Sequence, residues 1–137
     1  MRIMGLDVGD KRIGVALSDP LGWTAQPHSV LLRNDPARDF AHLARLCAEN
    51  QIEKIVVGLP LNMNGTIGPR AELVQGFAAK LSSFTGIEVE FWDERLSTKS
   101  AERTLLAADV SRRKRRQVID KLAAVHILQG YLDRRSR

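Results

Sequence analysis

The sequence predicts an α/β domain on a mixed five-stranded sheet, three antiparallel meander strands followed by two parallel strands, with helices on both faces. Three observations carry this reading. Two β-like runs, residues 2–6 and Arg12–Ser18, flank Val8-Gly9-Asp10-Lys11, which reads as a tight hairpin turn. The hydrophobic period then shifts from strand-like to helical after Asp35-Pro36. Beyond that point helical and strand-like runs alternate, and crossover connections make the later strands parallel.

The first run ends at Asp7. After the second, Asp19-Pro20-Leu21-Gly22 signals a turn, and a third strand follows over residues 26–32 with Pro27 near its edge. Asp35 reads as an N-cap with Pro36 at the first helical position, and Phe40, Leu43, Ala44 and Cys47 recur at helical spacing. Residues 54–58 lack alternation, which suggests a strand covered on both faces. Residues 59–68 form a loop rich in Pro, Asn and Gly, and Ala71, Val74, Phe77, Ala78 and Leu81 mark a second helix. Residues 87–92 alternate, with Glu88 and Glu90 opposite Ile87, Val89 and Phe91. Ser97 can cap a short helix over residues 98–108, and residues 109–117 are polar and basic. A last helix covers about residues 118–134, with a start inside the basic run as the alternative.

With 137 residues, a single domain over 1–137 is expected, large enough for a real core. Hydrophobic residues at 44% and charged residues at 27% exclude disorder as the main state. Cys47 is the only cysteine, which excludes a disulfide framework and a Cys-based metal cluster, and it sits on the apolar face of the first helix as an inert core residue. The apolar runs are too short to span a bilayer and the N-terminus shows no signal-peptide pattern, so a soluble, cytoplasmic protein with no membrane partner is expected.

Residues 112–137 hold nine basic side chains against two acidic ones, whereas the rest of the chain carries 12 basic and 14 acidic. A concentrated basic segment on a near-neutral body suits a polyanion partner, although a solvated tail has the same composition. Arginines outnumber lysines 15 to 6, which favours forked contacts to phosphate.

Three carboxylates stand out. Asp7 ends the first strand and Glu94 lies just past the 87–92 strand. Ligands of open α/β sheets collect at the carboxyl ends of strands, so the two meet there if these strands are parallel neighbours. Asp120 shares a helix face with Ala123, Ala124, Ile127 and Leu128, a small apolar surface that should press closely on the sheet. A charge there demands a partner: Lys121, Arg116, or a divalent cation shared by the three carboxylates. Oxygen-only ligation suits Mg²⁺ or Mn²⁺. Asp7 as a turn acceptor and Glu94 paired with Arg95 or Arg103 are the alternatives.

The motifs then become specific. Gly5-Leu6-Asp7-Val8-Gly9-Asp10-Lys11-Arg12-Ile13-Gly14-Val15-Ala16 and Val57-Gly58-Leu59-Pro60-Leu61-Asn62-Met63-Asn64-Gly65-Thr66 are followed by Asp93-Glu94-Arg95-Leu96-Ser97-Thr98 and by Asp120-Lys121-Leu122-Ala123-Ala124-Val125-His126-Ile127-Leu128. In this order, across essentially the whole chain, the set resembles the YqgF family, also called RuvX, of RNase H-like nucleases. Asn64 departs from the pattern, since Asp is common there. The resemblance implies an RNase H-like fold and a metal-binding acidic triad at Asp7, Glu94 and Asp120. Members are described as Holliday-junction-resolvase-like and are also assigned to maturation of the 16S rRNA 5′ end.

That resemblance implies a hydrolase acting on precursor rRNA or branched DNA, with ribosomal particles as partners, acting as a monomer or homodimer. Two metal ions about 3.5–4 Å apart would activate water and stabilise the leaving oxygen, with Asp7 bridging them. Lys11, Arg12, Asn62, Asn64, Thr66 and Arg95 are the expected nucleic-acid contacts near the site, and Arg112, Arg113, Lys114, Arg115 and Arg116 a mobile basic flap. Trp23 can stack on a base or simply pack. His28, His42 and His126 follow no ligand spacing. Two rivals remain: a sugar-kinase or actin-like ATPase, which needs two such domains, and a non-catalytic nucleic-acid-binding module, which the three carboxylates oppose.

Overall fold

A computed structural model describes residues 1–96 and 112–135, with side chains described for residues 1–95 and 119–135. The strands are β1 (Arg2–Val8), β2 (Arg12–Ser18), β3 (Ala25–Leu32), β4 (Ile52–Leu59) and β5 (Glu88–Asp93). The helices are α1 (Pro36–Glu49), α2 (Pro69–Thr85) and α3 (Arg112–Arg135), and a 3-10 turn covers Glu94–Leu96. The short helix expected over 98–108, its Ser97 cap and Arg103 lie outside the described residues.

The sheet order is β3-β2-β1-β4-β5. β1, β2 and β3 pair antiparallel, while β4 pairs parallel with β1 and β5 parallel with β4. The expected mixed sheet is therefore present, but the strand beside β1 is β4, not β5. Chain neighbours joined by a crossover helix pair with each other, so β5 adds outside β4. β1 also runs past Leu6, so that Asp7 lies within the strand.

Successive strand residues point to opposite faces. Met4, Leu6, Val8, Ile13, Val15, Leu17, Ile55 and Val57 meet Phe40, Leu43, Leu46 and Cys47 of α1 and Val74, Phe77, Ala78 and Leu81 of α2. Ile3, Ala16 and Val56 meet Ala124, Ile127, Leu128 and Leu132 of α3. β4 is covered on both faces, as its unbroken apolar run required: Ile55, Val56 and Val57 are all buried. Burial pushes the Cys47 thiol up to about 11, consistent with an inert core residue.

α1 starts where Asp35-Pro36 placed it, although the Asp35 side chain makes no capping bond and its carbonyl accepts from Asp39 instead. α3 begins at Arg112, so the backbone of the five basic residues expected in a flap is helical. Between β4 and the outer strand β5, Lys54 Nζ bonds Glu90 Oε1 at 2.9 Å and reaches the Tyr131 hydroxyl of α3 at 3.4 Å. That charge pairing suits a solvent-facing edge.

Candidate active site

Asp7 faces α3, because it follows Ile3 and Gly5 at period two. In the β1–β2 ladder it pairs with Gly14, and the β1–β4 ladder reaches Leu6 opposite Val57, one residue short of Asp7 and Gly58. A glycine therefore flanks Asp7 on each side, and each makes room for a second carboxylate-bearing residue. A Cβ at Gly14 would collide with the Asp120 backbone carbonyl, so Gly14 lets α3 lie directly on β2. A Cβ at Gly58 would stand 2.8 Å from Glu94 Cγ, so Glu94 reaches back over β4 toward Asp7 through the space a side chain would fill. This explains how Asp7 and Glu94 meet although their strands are not neighbours.

The Asp7 carboxyl meets that of Glu94, and Asp7 is the one of the two pushed toward its protonated form. Burial of Asp7, then the hydrogen bond and negative charge of Glu94, raise the Asp7 pKa from 3.8 to about 8, while the positive charge of Arg70 opposes the rise. Two half-buried carboxyls brought together at a strand end are the donor set a hard metal ion fits.

Asp120 lies over the same end of the sheet, yet its Oδ2 accepts a bond of 2.8 Å from Arg12 Nε. The sequence pointed to Lys121 and Arg116 within the helix; a partner comes from β2, two residues before the glycine on which Asp120 rests, and the Arg116 side chain lies outside the described residues. The pair is only partly exposed, at 26% and 21% of the two side chains, so Arg12 is engaged rather than displayed to a phosphate. Among the described residues no three His, Cys, Asp or Glu side chains form a preformed metal cage. Of the three expected ligands, Asp7 and Glu94 meet, and Asp120 bonds Arg12.

The Arg95 guanidinium makes a forked contact to Asp93, with Nη2–Oδ2 at 2.7 Å, and its Nη1 donates to the Met63 carbonyl at 3.1 Å. It thereby ties the 59–68 loop to the turn that carries Glu94. Within the loop Asn62 Nδ2 donates to Thr66 Oγ1, and Thr66 Oγ1 and backbone N–H both donate to Asn64 Oδ1. Asn62, Asn64 and Thr66 thus spend these groups on turn structure. Lys11 is exposed in the β1–β2 turn. The side chains of Arg112, Arg113, Lys114, Arg115 and Arg116 lie outside the described residues. Trp23 is exposed, but it precedes β3 at the opposite end of the sheet from Asp7.

Sequence reasoning missed Gly14 and Gly58 as positioning residues, and Arg70. Gly58 carried a readable signal, since it interrupts an otherwise apolar strand just where a ligand-binding end is expected. Gly58→Ala is expected to lower any activity of this site about 10- to 100-fold at a cost of roughly 1–2 kcal/mol in stability, by pushing Glu94 aside. Steady-state rates alongside a thermal melt will separate the two effects.

Known proteins fit this geometry. The family model described as RuvX, Holliday junction resolvase, matches residues 1–134. A relative from Syntrophomonas wolfei is 64% identical over 133 residues, covering 97% of this chain and 94% of its own, and its name provisionally assigns it as a pre-16S rRNA nuclease. A relative from Moorella thermoacetica with the same name is 60% identical over 134 residues, covering 98% of this chain and 96% of its own. Among solved structures, Thermus thermophilus RuvC in complex with a Holliday junction substrate superposes with a TM-score of 0.63 at 14% identity, over 99% of this chain and 96% of that one. The fowlpox virus resolvase bound to junction DNA superposes with a TM-score of 0.61 at 12% identity, over the whole of both chains. These likenesses establish the RNase H-like fold. By sequence, this chain belongs to the RuvX family.

Proposed function

We propose that this chain, as one domain, is a divalent-metal-dependent endonuclease that hydrolyses phosphodiester bonds of structured nucleic acid, processing the 5′ end of precursor 16S rRNA. The observation that carries the reading is the meeting of Asp7 and Glu94 at the carboxyl end of the central strands, with Asp120 held over the neighbouring glycine. The names of the relatives support the substrate. Likeness to resolvases seated on junction DNA favours a second reading, cleavage of branched DNA. A non-catalytic binding module does not call for a buried carboxyl pair.

Asp7 and Glu94 would hold the ion, Mg²⁺ or Mn²⁺, joined by Asp120 once it leaves Arg12. When bound, such an ion supplies Lewis-acid stabilisation of the phosphoryl oxygens and a more acidic water. The protein's own part is positional. Asp7 sits on a central strand whose ladders fix its direction. Glu94 is seated over Gly58, and the Arg95–Asp93 fork holds its turn. Arg12, released from Asp120, becomes available to a substrate phosphate. Lys11 and the basic start of α3 would add backbone contacts that do not read sequence. The reading places the protein in the cytoplasm, near ribosomal precursors; among the described residues no helix is long and apolar enough to cross a membrane.

The test is a cleavage assay with Mg²⁺ or Mn²⁺ on a precursor 16S rRNA fragment and on a four-way DNA junction, with chelator and Asp7→Asn controls. Metal-dependent cutting of the rRNA fragment supports the first reading, and cutting of the junction alone supports the second. Binding with no cleavage of either, indifferent to metal, overturns both. Substrate affinity should also fall about 10- to 1,000-fold between 50 and 200 mM salt, since several phosphates are neutralised together; filter binding across a salt series measures the slope.

A further inference from the structure

A second concavity adjoins the carboxyl pair on the other side of the β1 end. It is a cavity of about 390 Å³, bounded by the β1–β2 turn (Gly9, Asp10), the loop after β3 (Arg33, Asn34), the start of α1 (Asp39) and the first turns of α2 (Arg70, Val74). Small-molecule sites run from about 300 to 1,000 Å³, so this one has room for a single nucleotide. Its walls are built rather than incidental. Arg33 donates from Nη1 to the Gly9 carbonyl at 2.9 Å and lies over the Phe77 ring, while its backbone N–H bonds the Lys11 carbonyl at 2.8 Å. The loop after β3 is thereby locked to the turn that follows Asp7.

Two groups of the lining keep hydrogen-bonding capacity to spare, the first of them the acidic residue in the first turn of α1. Asp39 is 4% exposed, yet among the described residues its side chain accepts one bond, a long one, from the Asn34 N–H to Oδ1 at 3.3 Å. Oδ2 is left without a donor, and a buried carboxylate oxygen in that state calls for one. Arg70 is the other. Among the described residues its ion pair is to Asp10 at 3.9 Å, with 63% and 79% of the two side chains exposed, a pairing too loose to occupy the guanidinium, and its charge also acts on Asp7. The cavity therefore offers an anion site at one wall and an open hydrogen-bond acceptor at another, immediately beside Asp7.

We propose that this cavity is a subsite for one ribonucleotide of the substrate strand, with Arg70, aided by Arg33, on its phosphate and Asp39 Oδ2 accepting a bond from its ribose 2′-hydroxyl. The proposal rests on the nuclease reading above and deepens it, because the 2′-hydroxyl is the group that distinguishes RNA from DNA. It assigns that discrimination to Asp39, outside the carboxyl pair that does the chemistry.

The experiment needs no cleavage. The full chain, labelled with ¹⁵N and held in chelator, is titrated with 5′-UMP and with 5′-dUMP while backbone amide shifts are followed. The expected result is displacement of the Gly9, Asp10 and Asn34 amides, with 5′-UMP bound about five- to tenfold more tightly than 5′-dUMP. Arg70→Gln should weaken both ligands about fivefold or more, and it alters an exposed side chain that the fold does not need. Asp39→Asn keeps an oxygen for the Asn34 N–H but replaces the charged acceptor with a neutral amide, which a 2′-hydroxyl bonds less strongly, so the preference for 5′-UMP should weaken to about twofold or less. Equal affinity for the two nucleotides, shifts confined to another face, or indifference to Arg70→Gln overturns the proposal. If Asp39→Asn fails to fold, the wild-type comparison and Arg70→Gln still decide it. A chain that prefers 5′-UMP at these amides yet cuts no RNA keeps the subsite and loses the nuclease reading; one that cuts rRNA but shows no such preference loses only the subsite.

Discussion

Asp7→Asn is expected to lower cleavage by three orders of magnitude or more, equivalent to at least about 4 kcal/mol of transition-state stabilisation, while leaving the fold intact. The amide matches the carboxyl in shape and can donate to Glu94, so β1 keeps its ladders, but it is a poor ligand for a hard cation. The same variant should change the pH dependence of stability in chelator. In the folded wild type Asp7 holds its proton up to about 8, whereas in the unfolded chain it loses it near 3.8. Between those values the folded state binds the extra proton, so wild-type stability falls as pH rises from about 4 to about 8, then levels off. Asp7→Asn removes this slope and should be the more stable protein at pH 8, by about 1–3 kcal/mol, since the buried like-charge contact is gone. Thermal melts at pH 5 and pH 8 measure it. Parallel slopes in the two proteins would show that Asp7 is not held in its protonated form.

The largest stability effect is expected from Gly14→Ala. The new Cβ would meet backbone, the Asp120 carbonyl, and neither β2 nor α3 can swing aside as a flexible side chain would. Overpacking of this kind costs about 1–3 kcal/mol and sometimes more, which in a chain of 137 residues lowers the melting temperature by roughly 3–10 °C. Activity should fall further than stability does, because α3 must lift and takes Asp120 with it. The matched control is Gly76→Ala on α2, where a Cβ meets nothing within 4 Å; there alanine should stabilise by about 0.5–1 kcal/mol through helix propensity. If the Gly14 variant melts within a degree of the wild type, α3 does not lie on β2 as described.

Much of the fold was legible because it is written in local patterns. β2 spans the β-like run Arg12–Ser18, and α1 begins at the proline that favours a first helical turn. The small apolar face of α3 correctly implied close packing, since Ala123, Ala124, Ile127 and Leu128 are buried. In the loop, Asn62, Asn64 and Thr66, expected as substrate contacts, also make the turn bonds that their spacing suits. Arg12 was read as a phosphate ligand because nothing in its own segment reveals a partner 108 residues away.

By itself, then, the amino-acid order determined which segments are strands and helices, which carboxylates fall at the ends of strands, and that one helix face must lie flush against a sheet. Those are consequences of side-chain period and size, properties each segment carries alone. Only the tertiary structure decided that β4 separates β1 from β5, that Glu94 crosses it over Gly58, that Asp120 answers to Arg12, and that Asp39 and Arg70 face one cavity. Each of these is a meeting between distant parts of the chain. It depends on which strands become neighbours and how closely the layers approach, and neither is encoded in the period of any one segment.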